Sequence, residues 1–407
     1  MDTQYSELSI NLTKSLSKTE KKEYGIYISP KNIIQKLSEG ILKINKDIKR
    51  ILEPSCGTCE IINHFDTKCK DIEIIGIEYN DKVFETIKNL TFNNNVKLIK
   101  QNFMEYETEG SYDLIVGNPP YFVCTKKDIP KKYHDFCIGR PNIFGLFIIH
   151  SLSMLQDGGI LAFVVPKSFL NSSYYGIIRN YIKQICKIIE IIDFKDDNLF
   201  IDTEQNTFGL ILQKGIGDTD TDTDEICNYS LRINDNYIFS CDTAMLKELF
   251  QGATTLEKMR FKVKTGTIVW NECKSELSND EDDTLLLYNT NISNDNKLSI
   301  KKFKNDVKGQ YIKRDGRIDP TLVVNRGNGN SSYKLNYLVV TQGPYLIENH
   351  LNEIYPCKKM KREELLSVYD KIINSFKNPK TQVFIDLFLG NNGLSKTELE
   401  TIFPIYL

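Results

Sequence analysis

A short apolar run that ends in Asn-Pro-Pro-Tyr constrains this chain more than any other feature. Residues 112–117 read Tyr-Asp-Leu-Ile-Val-Gly, which is typical of a strand inside a parallel sheet. Pro119 and Pro120 cannot continue a hydrogen-bonded ladder, so the loop leaves the sheet at the carboxyl end of the strand. Open α/β sheets bind ligands at that end. The sequence therefore predicts an α/β fold with a ligand site beside residues 118–121.

Each residue of this loop suits a flat ring that carries an amino group. The side-chain carbonyl of Asn118 and the backbone carbonyl of Pro119 can both accept hydrogen bonds from one planar amine, and the two prolines hold these acceptors in place. The ring of Tyr121 offers a face for stacking. We predict that Asn118, Pro119, Pro120 and Tyr121 are catalytic and make an exocyclic amine a better nucleophile. A strand followed by an ordinary proline turn is the alternative.

Three further strand-like runs precede this loop, and each ends in residues that suit a nucleoside. The first is followed at residues 54–59 by a loop of small residues, which lets the backbone approach a ligand closely. The second ends in Glu78, which is placed to bind both hydroxyls of a ribose. The third is followed by Asn102 and Phe103, which could contact and stack an adenine. We therefore expect a nucleoside cofactor across these strand ends.

With these motifs in this order, the chain resembles the gamma group of AdoMet-dependent DNA adenine-N6 methyltransferases, the Taq-type enzymes of restriction-modification systems. Ahead of the cofactor loop, residues 24–30 match the segment that closes over the methionine end of the cofactor. Past the Asn-Pro-Pro-Tyr loop, residues 142–147 and 158–166 match the next helix and the fifth strand, and residues 191–194 and 208–212 match the last strands. The resemblance implies a Rossmann-like class I methyltransferase fold, with a doubly wound and mostly parallel sheet.

The resemblance also implies S-adenosyl-L-methionine as the cofactor and assigns residues to it. The implied cofactor residues are Tyr27, Ser29, Glu53, Pro54, Ser55, Cys56, Gly57, Glu78, Tyr79, Asn102, Phe103, Asn118 and Pro120. Phe200 is aligned with the aromatic that stacks on the second face of the target base, and Phe208 is the runner-up. The implied reaction is direct methyl transfer to N6 of an adenine that is flipped out of duplex DNA.

Three positions depart from the family pattern. Ser29 stands where relatives usually have Thr, and a hydroxyl is retained. Asn102 stands where they usually have Asp, so an amide oxygen can still accept a hydrogen bond from the adenine amine but the negative charge is lost. Cys59 stands where many relatives have a second Gly.

Four residues around the cofactor loop have the spacing of a zinc knuckle. Cys56, Cys59, His64 and Cys69 form this pattern, which is typical of small zinc modules that bind nucleic acid. Closing the knuckle would remove the helix that is expected to support the cofactor, so we predict no metal site here. A redox role for the first two cysteines is less favoured still, because no thioredoxin-like pattern surrounds them. A non-enzymatic zinc-knuckle protein is the alternative from a different functional class.

An acidic segment of low complexity divides the chain. Residues 215–226 combine glycines with alternating Asp and Thr, which predicts an exposed linker or loop. Residues 1–214 are predicted to form the cofactor-binding catalytic domain. Residues 227–407 are predicted to form a mixed α+β domain, which loosely resembles the target-recognition domain of related enzymes. An RNA methyltransferase and a protein-glutamine methyltransferase could use the same loop, but a release-factor-type enzyme would end soon after residue 212.

The net charge of −2 does not by itself suggest a nucleic-acid-binding protein, but the basic residues are clustered. Residues 297–317 contain eight Lys or Arg, and residues 358–362 form a second cluster. Beside a loop that handles an amine, such clusters are expected to contact the phosphates of double-stranded DNA. The predicted DNA contacts are Lys301, Lys302, Lys304, Lys313, Arg314, Arg317, His350, Lys358 and Lys359.

No run of apolar residues is long enough to span a membrane, and the N-terminus lacks a signal-peptide pattern. We therefore expect a cytoplasmic protein, or one in the DNA-containing compartment of its host. The ten cysteines are then expected to be reduced thiols. We expect a monomer without membrane contact, and any cognate restriction endonuclease is expected on a separate chain.

Overall fold

The computed structural model describes residues 4–108, 110–194, 207–215, 229–301, 303, 308–327, 333–389 and 393–407. Three residues with predicted roles, Phe200, Lys302 and Lys304, lie outside the described residues, and so do residues 216–226 of the acidic segment. The chain divides into two compact units. The first comprises Met1–Arg232 and Asn236–Thr243, and the second comprises Ile233–Asp235 and Ala244–Leu407.

Helices and strands alternate along most of the first unit. Its helices are α1 (Glu7–Ser15), α2 (Lys18–Tyr24), α3 (Lys31–Ile44), α4 (Glu60–Lys68), α5 (Asp81–Ile87), α6 (Ile143–Met154), α7 (Ser168–Asn171) and α8 (Gly176–Ile185). Its central strands are β1 (Arg50–Glu53), β2 (Glu73–Glu78), β3 (Asn95–Lys100), β4 (Tyr112–Gly117), β5 (Leu155–Pro166), β6 (Cys186–Asp193) and β7 (Thr207–Lys214). A strand pair, β8 (Ser230–Ile233) and β9 (Asn236–Phe239), follows them.

The described strands β1 to β7 form one sheet in the order β3-β2-β1-β4-β5-β7-β6. Strands β1 to β5 are parallel, whereas β7 is antiparallel to both of its neighbours. The strand order reverses between β1 and β4, which is the switch point where open α/β sheets bind ligands. The doubly wound, mostly parallel sheet predicted from the sequence is confirmed.

The middle of the central sheet is buried on both faces, which explains why Leu114 to Val116 of β4 are consecutive apolar residues. Along β4, Leu114 and Val116 pack into one core with α3 and α4. Ile115 packs into the opposite core with α6 and α8. Side chains alternate across a strand, so successive apolar residues are needed only where both faces are covered. Helix α6 packs into this second core and is apolar around nearly its whole circumference, in keeping with its burial along nearly its whole length.

The strand pair β8–β9 contributes to the core of the first unit. Phe239 is 1% exposed and packs edge-to-face on Phe169, with 6.2 Å between ring centroids. Arg179, itself buried, donates from Nε to the backbone oxygen of Tyr237 at 2.5 Å. The boundary at residue 227 that the sequence predicted therefore does not coincide with the division of the structure, because Asn236–Thr243 belongs to the first unit.

The second unit is a mixed α+β structure, as the sequence predicted. Its helices are α9 (Thr243–Phe250), α10 (Arg362–Phe376), α11 (Pro379–Phe388) and α12 (Lys396–Thr401). Its strands are β10 (Ala253–Thr254), β11 (Phe261–Thr265), β12 (Leu277–Ser278), β13 (Thr284–Leu287), β14 (Tyr311–Ile312), β15 (Thr321–Asn325), β16 (Tyr337–Val340), β17 (Tyr345–Ile347), β18 (Leu351–Pro356) and β19 (Ile405–Tyr406). They form the sheets β11-β18-β15-β16 and β12-β14-β13-β17 and the pair β10-β19. In neither unit is a described helix long and apolar enough to cross a membrane.

Candidate active site

A cavity of about 330 Å³ lies where β1, β2 and β4 end. Every residue that the sequence assigned to the cofactor lines this cavity, from Tyr27 to Pro120. The cavity is also lined by four more residues of the segment predicted to close over the methionine end of the cofactor, Tyr24, Gly25, Ile26 and Ile28, and by Thr58 of the small-residue loop. Further lining residues had not been predicted, namely Glu60, Ile61, Asn80, Met104, Phe122, Cys124, Asp128, Ile143 and Phe147. Asn80 had a local signal, because an Asn between a strand and an Asp is typical of a helix N-cap. Most of the others reach the cavity only through the tertiary fold.

Glu78, at the end of β2, is oriented by backbone groups on both sides. Its Oε2 accepts a hydrogen bond from the backbone N–H of Gly57 at 3.0 Å, and its Oε1 accepts one from Asn80 at 2.7 Å. Burial raises the pKa of Glu78, and these backbone N–H groups oppose the rise. Each carboxylate oxygen keeps a lone pair for a further donor. The side chain can therefore accept hydrogen bonds from two neighbouring hydroxyls.

The loop between β1 and α4 turns tightly at the cysteines. The backbone N–H of Cys59 donates to the backbone oxygen of Cys56 at 2.7 Å. Cys59 itself adopts the left-handed conformation, with φ of 62° and ψ of 28°. L-residues with a Cβ rarely adopt this conformation, whereas Gly adopts it freely. This backbone geometry explains why Gly is common at this position in the enzymes that the chain resembles.

Helix α4 occupies the residues that a zinc knuckle would need. His64 lies within α4, and Cys69 directly follows the last residue of the helix. Within the described parts of the chain, no group of three His, Cys, Asp or Glu side chains is placed to hold a metal ion. The Nε2 atom of His64 is buried and makes no hydrogen bond to a described residue. Burial lowers the pKa of His64 to about 4.

The N-terminal helix is hydrogen-bonded to the start of α4. Glu60 accepts hydrogen bonds from the backbone N–H of Ser6 at 2.9 Å and from the hydroxyl of Ser9. The hydroxyls of Ser9 and Thr58 lie 2.6 Å apart. Further along, Gly25 has φ of 61°, and a Cβ at this residue would lie 2.8 Å from the backbone nitrogen of Tyr121. The segment before β1 thus packs against both the cofactor loop and the Asn-Pro-Pro-Tyr loop.

The side chain of Asn118 is held at both ends. Its Nδ2 donates to the backbone oxygen of Tyr27 at 2.9 Å, and its Oδ1 accepts from the hydroxyl of Tyr121 at 2.7 Å. The hydroxyl of Ser55 donates to the backbone oxygen of Asn118 at 3.1 Å. The cofactor loop, the segment before β1 and Tyr121 therefore all fix the position of this one residue.

The aromatic residues predicted to hold a base differ in their surroundings. The ring of Tyr121 is partly exposed and packs edge-to-face on Phe144 at 5.7 Å, while burial of its hydroxyl raises the pKa of Tyr121 well above its usual value. Phe200 lies outside the described residues. The runner-up, Phe208, is 4% exposed and packs in the core from β7. Pro119 is buried, and Pro120 lines the cavity.

Two polar atoms of the cavity wall are buried without a partner. Ser29 Oγ and Glu53 Oε2 make no hydrogen bond to any residue that the structure describes. The pKa of Glu53 is raised well above its usual value, mainly by burial and further by Cys59 and Glu78. A cation placed beside this carboxyl group would favour its charged form. The cavity therefore suits a ligand that carries a positive charge and hydrogen-bond donors.

Residues 4–200 match the model of the Eco57I restriction-modification methylase family. This match spans just under half of the chain and assigns residues 4–200 to an Eco57I restriction-modification methylase domain. The Type II methyltransferase M.CvrRI of Paramecium bursaria Chlorella virus XZ-6E is 26% identical over 409 residues, which cover 99% of this chain and 99% of the relative. The modification methylase CviBIII of Paramecium bursaria Chlorella virus NC1A is 31% identical over 245 residues, which cover 59% of this chain and 63% of the relative.

Among solved structures, a class I S-adenosylmethionine-dependent methyltransferase from Listeria monocytogenes is similar to part of the chain. It is 20% identical, has a TM-score of 0.42, and the match covers 52% of this chain and 66% of that one. The methyl donor of the Eco57I methylase domain is S-adenosyl-L-methionine. When bound, this donor supplies an electrophilic methyl group on a sulfonium centre.

The cavity of the methylase domain fits this methyl donor. The unpartnered atoms of Ser29 and Glu53 suit the ammonium of its methionine part, and the carboxylate of Glu78 suits the two ribose hydroxyls. Phe103 and Tyr79, which also line the cavity, suit the adenine ring. Restriction-modification methylases act on DNA, so the family activity is methylation of DNA.

Asn102, which stands where relatives usually have an acidic residue, lies beside the carboxylate of Glu105. Asn102 Oδ1 accepts from the backbone N–H of Met104 at 3.1 Å, and its Nδ2 donates to Glu105 Oε1 at 3.1 Å. Asn102 lines the cavity, whereas the side chain of Glu105 is exposed beside it. The methylase domain thus has an amide at the position where relatives have Asp, with a carboxylate hydrogen-bonded to that amide.

Several predicted DNA contacts in the second unit are already paired with acids. Arg314 forms two hydrogen bonds with Glu276, and Arg317 forms two with the buried Glu353 at 2.7 and 2.8 Å. His350 Nδ1 lies 2.7 Å from Oε1 of the buried Glu348. Four further predicted contacts have exposed side chains, namely Lys301, Lys313, Lys358 and Lys359. Contact of all these residues with DNA stays a prediction.

Proposed function

We propose that this protein transfers a methyl group from S-adenosyl-L-methionine to the exocyclic N6 amine of an adenine at a specific site in double-stranded DNA. The observation that carries the proposal is the position of the Asn-Pro-Pro-Tyr loop. Asn118 and Pro120 line the cavity that fits the methyl donor, and Asn118 Oδ1 keeps a lone pair beyond its bond to Tyr121. An amine that donates to this oxygen lies at the cavity that holds the donor.

The residues of this loop would act by orientation. Asn118 Oδ1 and the backbone oxygen of Pro119 accept the two amine hydrogens, which directs the nitrogen lone pair away from both acceptors. Tyr121 stacks on one face of the adenine, and Phe200 is proposed for the other. No strong base is needed, because the amine becomes acidic once it is methylated and then loses its proton to water. The rate comes from proximity and from acceptors that are already in place.

The proposed target base must leave the duplex. Its amine takes part in base pairing, so a loop at the edge of a sheet can reach it only after the nucleotide rotates out of the stack. The residues of the second unit are proposed to read the DNA sequence, and any cognate endonuclease is proposed to be a separate chain. The placement of residues 24–29 ahead of β1, at the wall of the cavity, supports the gamma-group order of motifs.

The test is to identify the methylated base. Full-length protein is incubated with unmethylated DNA and S-adenosyl-L-methionine that carries a labelled methyl group, and the DNA is then digested to nucleosides for mass spectrometry. We expect label in N6-methyladenine, and methylation-sensitive sequencing should place it in one short sequence. Label in a methylated cytosine would refute the adenine assignment. The Asn118→Ala variant should bind the donor normally but lose about a hundredfold or more in rate, as when one preorganised polar group is deleted.

The alternative functions give different results in the same assay. An RNA or protein-glutamine methyltransferase would label folded RNA or protein in preference to duplex DNA. A zinc-knuckle protein would label none of these substrates and would contain about one zinc ion per chain after purification. The length of the match to M.CvrRI, which extends through the second unit, favours the DNA substrate over a release-factor-type enzyme.

A further inference from the structure

We propose that the hydroxyl of Tyr121 is a positioning group that fixes the acceptor oxygen of Asn118, in addition to the stacking role of the ring. This inference rests on the proposed function, because the acceptor it fixes is the one that receives the target amine. The carrying observation is the 2.7 Å hydrogen bond from Tyr121 to Asn118 Oδ1. A phenylalanine at residue 121 would stack equally well but would not make this bond.

The two ends of the Asn118 amide are distinguished by their partners. The backbone oxygen of Tyr27 can only accept a hydrogen bond, so the end of the amide that faces it at 2.9 Å must be the NH₂ group. The opposite end, which faces Tyr121, is therefore the oxygen. An amide that rotated by half a turn would place an oxygen against the Tyr27 carbonyl and an NH₂ group where the target amine must be accepted. The Tyr27 carbonyl, which cannot donate, excludes this rotation, and the Tyr121 hydroxyl stabilises the observed orientation by donating to Oδ1.

The hydroxyl is itself held in place by the sheet. Tyr121 Oη lies 2.9 Å from the backbone oxygen of Val164 in β5, so the phenol spans the distance between this strand and Asn118. The phenol has one proton, which it can share between these two acceptors. Oδ1 of Asn118 has two lone pairs, so it can accept from this hydroxyl and from the incoming amine at the same time. The hydroxyl can therefore keep Oδ1 oriented both before and after the amine arrives.

The surroundings of the ring make this role separable from stacking. The ring of Tyr121 packs edge-to-face on Phe144, and its backbone is approached closely by Gly25. A phenylalanine would retain both contacts, because it has the same ring and the same backbone. Only the buried hydroxyl end would change. A Tyr121→Phe variant therefore removes the hydrogen bonds of the hydroxyl and keeps the ring, and the Asn118→Ala background separates the bond to Asn118 from the bond to Val164. Its effect should appear in the methyl-transfer step.

The experiment compares single-turnover methylation rates and dissociation constants for four proteins, namely the wild type, Tyr121→Phe, Asn118→Ala and the double variant. We expect Tyr121→Phe to lower the rate about tenfold, as the loss of one hydrogen bond would. Dissociation constants for S-adenosyl-L-methionine and for DNA should stay within about twofold of the wild type, because the ring and the cavity are retained. In the Asn118→Ala background, Tyr121→Phe should have no further effect, since the hydroxyl acts through the deleted side chain.

A matched control is Tyr133→Phe. Tyr133 is also buried in the first unit, where its hydroxyl bonds to His150 Nδ1, and no hydrogen bond or ring contact among the described residues joins it to the Asn118 loop. This variant should methylate DNA at the wild-type rate. A wild-type rate for Tyr121→Phe, a loss of donor affinity, or an undiminished effect in the Asn118→Ala background would each overturn the positioning role. A wild-type protein that methylates no adenine would instead overturn the proposed function, and the inference with it.

Discussion

Glu78 Oε2 lies 3.0 Å from the backbone nitrogen of Gly57, so the residue predicted to hold the ribose also fixes the loop after β1. We expect Glu78→Gln to weaken binding of S-adenosyl-L-methionine by about tenfold or more, because a neutral amide is a poorer acceptor for both ribose hydroxyls and backbone N–H groups. Affinity for DNA should change little. Calorimetric titration measures the donor affinity, and Glu85→Gln, which removes an exposed charge from α5, is the control. Equal donor affinities in the two variants would refute the assignment.

Because Glu105 lies beside Asn102, we expect the residue that relatives usually have at this position, Asp, to weaken cofactor binding in this protein. Asn102→Asp restores the usual family residue, but it would place a second carboxylate where Asn102 Nδ2 now lies 3.1 Å from Glu105 Oε1. We expect the variant to bind S-adenosyl-L-methionine less tightly than the wild type, because two close like charges repel. Adding Glu105→Gln should restore the affinity. Tighter binding by Asn102→Asp alone would show that Glu105 does not act on this residue.

The lowered pKa of His64 leads us to expect that the protein loses stability in mild acid. Burial, aided by Lys68, lowers its folded-state pKa from 6.5 to about 4, so the unfolded chain takes up a proton at a higher pH than the folded protein does. The contribution of the neutral His64 side chain to the free energy of unfolding is therefore fully present above pH 6.5, and it declines as the pH falls from 6.5 towards 4. Thermal unfolding across this range should show a steeper decline for the wild type than for His64→Leu. Parallel curves for the two proteins would contradict the buried neutral histidine.

The basic residues of the second unit should differ in their effect on DNA binding. Lys358 and Lys359 are exposed, whereas Arg314 is paired with Glu276. For Lys358→Ala with Lys359→Ala, we expect the slope of log affinity against log salt to fall by about two, since each phosphate contact contributes roughly 0.9. Arg314→Ala should change the slope less, because its charge is already partly neutralised. Fluorescence anisotropy with a labelled duplex gives both slopes, and a larger change for Arg314→Ala would reverse the assignment.

The parts of the fold that could be predicted from sequence are those that have a local cause. The strands β1, β2 and β4 show as apolar runs because both faces of the sheet are buried, and the cavity residues at their ends are recognisable because parallel strands all end at one edge. Contacts between distant segments have no such signature. The bond from Asn118 to the Tyr27 carbonyl joins residues 91 positions apart, and no pattern in either segment predicts it.

The charged residues show the same limit of local reasoning. The run that contains Arg314 and Arg317 reads as a free basic cluster, but the fold places Glu276 and Glu353 against these side chains. The sequence shows where basic residues are clustered but not which acidic residues the fold places against them, so it overestimates the number of unpaired cations at the surface. The hairpin β8–β9 shows a related limit, since it follows the acidic segment in sequence, but its strand β9 packs with helices α7 and α8, which precede that segment.

That hairpin determines where related enzymes could exchange their specificities. A chimaera joined in the acidic repeat would supply the catalytic unit with a foreign strand pair, and Phe169 and Arg179 would then face side chains with which they did not evolve. A chimaera joined after Thr243 would keep the core of the first unit with its own sequence, and only Ile233–Asp235 of the second unit would come from the other parent. On the proposed role of the second unit in reading DNA, recombination that exchanges this unit between relatives should therefore leave its junctions beyond the hairpin, not at the most conspicuous break in the sequence.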